Sequence, residues 1–206
     1  MPHLERGNQQ VNLPCNHTVI KDLLERVGRG ERPPELDVNG IRPVPDPFWA
    51  NLPHADIFTS ITPDILHQLH KGIIKDHLVT WCQAVLGKEE LDTCFKTMPE
   101  AHSLRHFKRG ISLISQWTGT EAKELEKTLL GVMVGCGETG VMRAVRALLD
   151  FVYYAQYKVH TNATLSRMQD SLDRLHAAKE VFVNLGIHDH FNKPKFHLLL
   201  HFLQSI

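Results

Sequence analysis

Apolar positions recur at helical spacing over most of the chain, and the clearest rows lie in its second half. Val141, Val145, Leu148, Val152 and Ala155 draw one buried stripe; Leu165, Met168, Leu172, Leu175 and Phe182 draw a second that ends at Gly186. Upstream, Thr118-Gly119-Thr120-Glu121 fits a capping box opening a helix through about Val134, and Gly135, Gly137 and Gly140 make the turn after it. Thr62-Pro63-Asp64 predicts a helix start, with Thr as N-cap, Pro at the first helical position and Asp in the first turn. That helix should run to Leu86 and stop at Gly87. A further piece spans Lys88 to Met98, stopped by Pro99, and residues 101–117 are expected to form a helix or a broken helix. A last helix begins near Pro194 and still runs at Ile206, as expected of a chain cut from something longer.

The first third is patterned differently. Val19, Leu23, Leu24 and Val27 predict a short amphipathic helix from Thr18 to Val27, broken by Gly28, Gly30, Pro33 and Pro34. Pro43, Pro45 and Pro47 force extended backbone, a strap expected to lay Phe48 and Trp49 onto a core. Ala55 to Ile61 is the one strand candidate. The chain thus divides into a weakly specified lead (1–34), an extended strap (35–61) and an all-helical domain (62–206). The class is mainly α, with at most one or two short strands.

Composition narrows the function. With 206 residues, 42% hydrophobic and 22% charged, the chain can bury a real core. Lys+Arg and Asp+Glu number 23 each, a balance that argues against a protein gripping nucleic acid mainly through net charge. No apolar run is long enough to span a bilayer and no signal peptide is evident, so the expected setting is intracellular, neither membrane-bound nor secreted. The four cysteines are scattered, without a CxxC pair. Fourteen histidines are the unusual number.

Three constellations could carry chemistry. Asp64 and His67, at i and i+3, can reach one point. His67 also stands 7, 11 and 18 residues before Ile74, Leu78 and Val85, which on an α-helix turns it into the fold. A helix-capping Asp beside a core histidine explains the same pattern, and His70 and His77 compete with His67 for any ligand role. His197 and His201, at i and i+4, can chelate a metal, and with Lys193 and Gln204 they form a polar stripe that could equally face water. Leu198 stands where a zincin needs its glutamate base, which excludes that metalloprotease pattern. From Ala101 to Gly119 no acidic residue occurs, while Arg105, Lys108 and Arg109 cluster near His102, His106 and Trp117: a phosphate-tracking patch, or a solvated face.

Longer runs point to a family. Residues 47–54 (Pro-Phe-Trp-Ala-Asn-Leu-Pro-His) and 62–72, containing Asp64-Ile65-Leu66-His67, resemble the Plavaka-type transposases of fungal genomes, relatives of the CACTA and Kyakuja-Dileera-Zisupton groups of cut-and-paste elements. So do residues 105–112, 116–121 and 194–197. The resemblance covers about residues 35 to 206 and leaves 1–34 unplaced. It implies an RNase H-like catalytic core with an Asp-Asp-Glu triad and two divalent metals, interrupted by a helical insertion near whose start Asp64 and His67 fall. This chain would then be mostly that insertion. It further implies that Asp64, His67, His197 and His201 share a structural zinc, one Asp and three His suiting a closed tetrahedral site.

No Asp or Glu follows Asp189 to serve as the terminal carboxylate. The expected function is therefore that of a truncated or decayed transposase fragment, not an enzyme on its own and without catalytic metals. It would keep DNA contact through Arg105, Lys108 and Arg109, or self-association, with no small-molecule substrate, and a nuclear location follows from the resemblance alone. Two alternatives stand beside it: a helical protein-interaction module, marked by an exposed apolar groove, and, on thinner grounds, a small metal-dependent hydrolase.

Overall fold

The computed structural model describes residues 17–39, 41–44, 46–52, 54, 56–60, 62–135, 137–191 and 193–206. Residues 1–16 of the lead, Gly40 and Pro45 of the strap, the ends Ala55 and Ile61 of the expected strand, and Cys15 and Cys136 lie outside them. The described residues are mainly helical and include no strand. They form two compact units: those up to Pro63 together with Phe191–Ser205, and Asp64–His190. None of their helices is long and apolar enough to cross a membrane.

In the first unit, α1 (His17–Gly28) is the amphipathic helix expected: Leu23 and Leu24 of its expected row are buried and Val27 packs against them, and Val19 alone departs from the row. Ile20, Leu23 and Leu24 are buried with Leu36 of α2 (Pro34–Asn39), whereas Val19 is 55% exposed. Ile20 lies three residues before Leu23 and four before Leu24 and so neighbours both, whereas Val19 is at that spacing from Leu23 alone, at the edge of the buried side. Gly30, at φ 85, takes the left-handed turn that ends α1, and Arg26 ties that turn to Glu31 at 2.9 Å and Glu35 at 3.6 Å. The strap delivers Trp49 to this core, its ring 5.0 Å from His17, but leaves Phe48 78% exposed. The strand expectation fails: Ile57–Ser60 is a helical turn, α3. The last helix, α10 (Pro194–Gln204), buries Phe196, Leu199 and Phe202; it does not run to Ile206, because Ser205 closes it through His201 and Phe202 carbonyls.

In the second unit, a π-helical stretch, π1 (Ile65–Val79), runs into α4 (Thr80–Leu86), and Gly87 at φ 88 ends the pair. The cap is Asp64, not Thr62. α5 (Lys88–Thr97), α6 (Gly119–Met133), α7 (Thr139–Ala155) and α8 (Asn162–Ala178) follow. α6 lies against π1, α5 and α7, while α7 and α8 pair along their length. The full expected stripe of α7 is buried, and Met168, Leu172 and Leu175 meet it from α8. The second expected stripe is not one helix: it breaks at Lys179 and Glu180 and resumes in α9 (Val181–Asn184), where Phe182 packs on Trp81 at 4.9 Å. Residues 101–117 form turns rather than a helix, with Ser103 at φ 67 and Gly110 at φ 77.

Candidate functional site

Asp64 is in extended conformation just before π1, so its carboxylate faces the first free amides of the coil. Oδ1 accepts the Leu66 N–H at 3.0 Å, Oδ2 accepts the His67 N–H at 2.8 Å, and Oδ2 also pairs with His67 Nδ1. The His67 amide is the chief cause holding this carboxyl below its ordinary value, ahead of the opposing effect of burial. An ionised Asp64 only accepts, so His67 carries a proton on Nδ1, which leaves Nε2 outside this pair. His67 does not point into the fold: its side chain is 70% exposed. Its α-helical face assumes about 100° per residue, and the wider π coil advances by less, so seven residues no longer return to the same side. The inward histidine is His70, fully buried, with Nδ1 2.6 Å from Glu126 Oε1 of α6.

His197 and His201 sit one turn apart on α10, half-buried, with their Nε2 atoms 3.2 Å apart. Two nitrogens bound at 2.0–2.1 Å to a tetrahedral zinc would stand about 3.4 Å from each other. The observed distance is near that value and is equally that of a hydrogen bond from one ring to the other. This pair belongs to the first unit and Asp64 with His67 to the second. Among the described residues, no group of three or more His, Cys, Asp or Glu is gathered for a metal ion. Gln204, at the end of the expected stripe, has a side chain outside the described set. Cys82 is a core thiol, pushed up to about 12 by burial.

The fold supplies acids to the acid-free segment. Arg105 Nη2 lies 2.7 Å from Glu121 Oε1, and Lys108 Nζ lies 2.7 Å from Glu100 Oε1. Arg105 also covers the Phe107 ring at 5.3 Å. Arg109 is exposed and forms no ion pair among the described residues. What shapes this loop is Asp92 of α5, which sequence reasoning missed. Its Oδ1 accepts the Ile111 N–H at 2.7 Å and the Ser112 N–H at 2.9 Å, and Oδ2 accepts the Ser112 hydroxyl. Burial pushes this carboxyl up, but those hydrogen bonds outweigh it and hold it below the ordinary value. The one signal in sequence was a carboxylate beside Leu91 and close to Phe95, on the inner side of a short helix.

Comparison with protein families bears on the first of these features. Residues 1–82 match the Plavaka transposase family. The matched segment takes in α1, π1 and the Asp64–His67 pair, and agrees with the resemblance read from residues 47–54 and 62–72. The Plavaka match also covers residues 1–34, which those motifs left unplaced, and ends before residues 105–112, 116–121 and 194–197. Neither the curated proteins nor the solved structures give a match.

Two concavities bear on function. One, of about 120 Å³, lies beside the Plavaka-matched pair and is lined by Leu66, His67, Lys71, Trp117, Gly119 and Ala122. Gly119 permits it: a Cβ there would stand 2.4 Å from Leu66 Cδ1. The other, about 590 Å³, is an open apolar groove in the first unit lined by Ile20, Leu24, Ile41, Val44, Phe48 and Trp49.

Proposed function

We propose that this chain is the helical insertion portion of a Plavaka-type cut-and-paste DNA transposase, and that its own remaining activity is to contact DNA. The match over residues 1–82, containing the Asp64–His67 cap, carries the reading. Strand transfer in that family would rest on three carboxylates holding two metals. Arg109 would lead the phosphate contacts, since Arg105 and Lys108 must first leave Glu121 and Glu100. Binding to duplex DNA should weaken as salt rises, and the triple variant Arg105→Gln, Lys108→Gln, Arg109→Gln should flatten the slope of log K against log salt by about 0.9 for each phosphate no longer neutralised. Arg109→Gln alone should account for the largest share. Salt-independent binding by the unaltered chain would sink the reading, as would nicking of supercoiled plasmid in magnesium or manganese.

The Nε2–Nε2 distance, near that of a chelate, favours a second element of this reading, a zinc ion held by His197 and His201. Metal-free chain given one equivalent of zinc should melt higher than without it, and His197→Ala should abolish both the rise and the retained metal. Equal melting with and without zinc removes the proposal. The apolar groove favours a second reading, a protein-interaction module, because exposed apolar surface of this kind marks interaction sites and ligand grooves.

A further inference from the structure

We propose that the cleft between the first turns of π1 and Trp117 takes one unpaired nucleotide of a single DNA strand, its base against the indole and its phosphate at Lys71 and His67. The inference rests on the DNA-contact reading and assigns a second, separate surface to it.

The cleft is small, about 120 Å³, and its lining is divided by chemistry. Leu66, Ala122 and the Trp117 ring give an apolar slot for a flat group, and base–aromatic stacking needs no particular sequence. Lys71 and His67 give the polar rim. Lys71 is exposed and makes no ion pair among the described residues, unlike Arg105 and Lys108, whose charges already rest on carboxylates. His67 has Nδ1 committed to Asp64, which fixes the ring and leaves Nε2 as the nitrogen that can meet a ligand. A duplex keeps its bases stacked and paired, so only an unpaired nucleotide can enter a slot of this size. The slot stays open because residue 119 has no side chain: an alanine there would drive the free end of Leu66 aside without touching backbone.

The test is a titration of the full chain with a short oligothymidylate, followed by tryptophan emission and by the salt dependence of binding. The unaltered chain should show quenching that saturates. Trp117→Ala should abolish most of that quenching and weaken binding about 5- to 150-fold. Lys71→Gln should reduce the salt slope by about 0.7, the single-strand value for one phosphate. Lys71 is exposed, so this variant keeps the test valid if the Trp117 variant fails to fold. Gly119→Ala should weaken binding while the melting temperature holds, and Lys158→Gln, an exposed lysine after α7, should change nothing. Binding of the oligomer that neither Trp117→Ala nor Lys71→Gln alters overturns the proposal. So does equal saturation by thymidine monophosphate, which would make the cleft a site for free nucleotide. Salt-sensitive binding of blunt duplex without binding of the oligomer removes this inference and leaves the DNA-contact reading standing; loss of both removes both.

Discussion

Asp92 does more for the basic loop than any side chain within it. One carboxylate takes two successive amides and a hydroxyl, and it does so from α5, about twenty residues upstream. Gly110 is the counterpart: at φ 77, with the Asp92 Cγ only 2.3 Å from where a Cβ would be, it admits no other residue unstrained. Asp92→Ala should lower stability by about 2–3 kcal/mol, the range for losing charge-assisted bonds to buried amides. Gly110→Ala should cost about 1–3 kcal/mol through the forced left-handed conformation. Both are read as a lower urea midpoint with an unchanged slope; a midpoint equal to that of the unaltered chain for either variant would show that the loop is held by something else. Beyond the place of Asp92 beside Leu91 and near Phe95, little of this was legible in sequence. Asp92 reads as one more charge on a polar helix, and its partners are amides, which sequence does not name. The same limit hid His70, whose partner Glu126 lies 56 residues away.

At the scale of elements, caps and glycines were the readable signs. The Thr118 box forms as its sequence predicts, with Glu121 Oε2 accepting the Thr118 N–H at 2.9 Å, and Gly87 and Gly186 both end helices with positive φ. Periodicity was less reliable where two conformations share it. Leu104, Phe107, Ile111 and Ile114 recur at helical intervals, yet Phe107 and Ile111 reach the core from turns. The π coil left its own trace: the buried Leu69, Ile73, Leu78 and Cys82 step by four, five and four residues, and His70, Ile74 and Val79 step by four and five. Those steps are too long for an α-helix. Scored against 3.6, they sent His67 inward and left His70 as a competitor. The break after α8 was hidden for a similar reason, since the stripe through Phe182 continues across it. There Lys179 is buried, with Nζ 3.1 Å from His176 Nδ1, and the Phe182 N–H turns back to the Lys179 carbonyl.

For the whole molecule, the mainly helical class followed from pattern, and the likeness to the Plavaka family, matched over residues 1–82, from a few contiguous runs. For the four-residue zinc set, local pattern supplied each pair, Asp64 with His67 and His197 with His201, and only the resemblance joined them. Acid sensitivity is the property these groups share. Burial, reinforced by the Lys179 charge, lowers His176 to about 4, so the unfolded chain takes up a proton near pH 6.5 that the folded chain refuses. That contribution is complete above pH 6.5 and is lost as the pH falls toward 4. Asp64, Asp92 and Glu121 all lie below their ordinary values when folded, so their contributions hold above the carboxylate range and are lost below it. The urea midpoint should therefore fall between pH 7 and pH 5, and His176→Gln should flatten that upper part of the decline while leaving the steeper part below. A midpoint unchanged from pH 7 to pH 5 would mean that His176 is protonated in the fold.

The wide coil of π1 has a consequence for inheritance. Its fifteen residues are wound more loosely than an α-helix needs, so the segment holds slack in its winding. A gene copy that loses one codon between those for Leu69 and Val79 can tighten one turn to α and keep the Asp64 cap and Trp81 facing as they do. The same deletion in α7, wound without slack, would rotate every later side chain by about 100° and strip the stripe from the core. Length differences among copies of this sequence should therefore be tolerated in π1 and purged from α7.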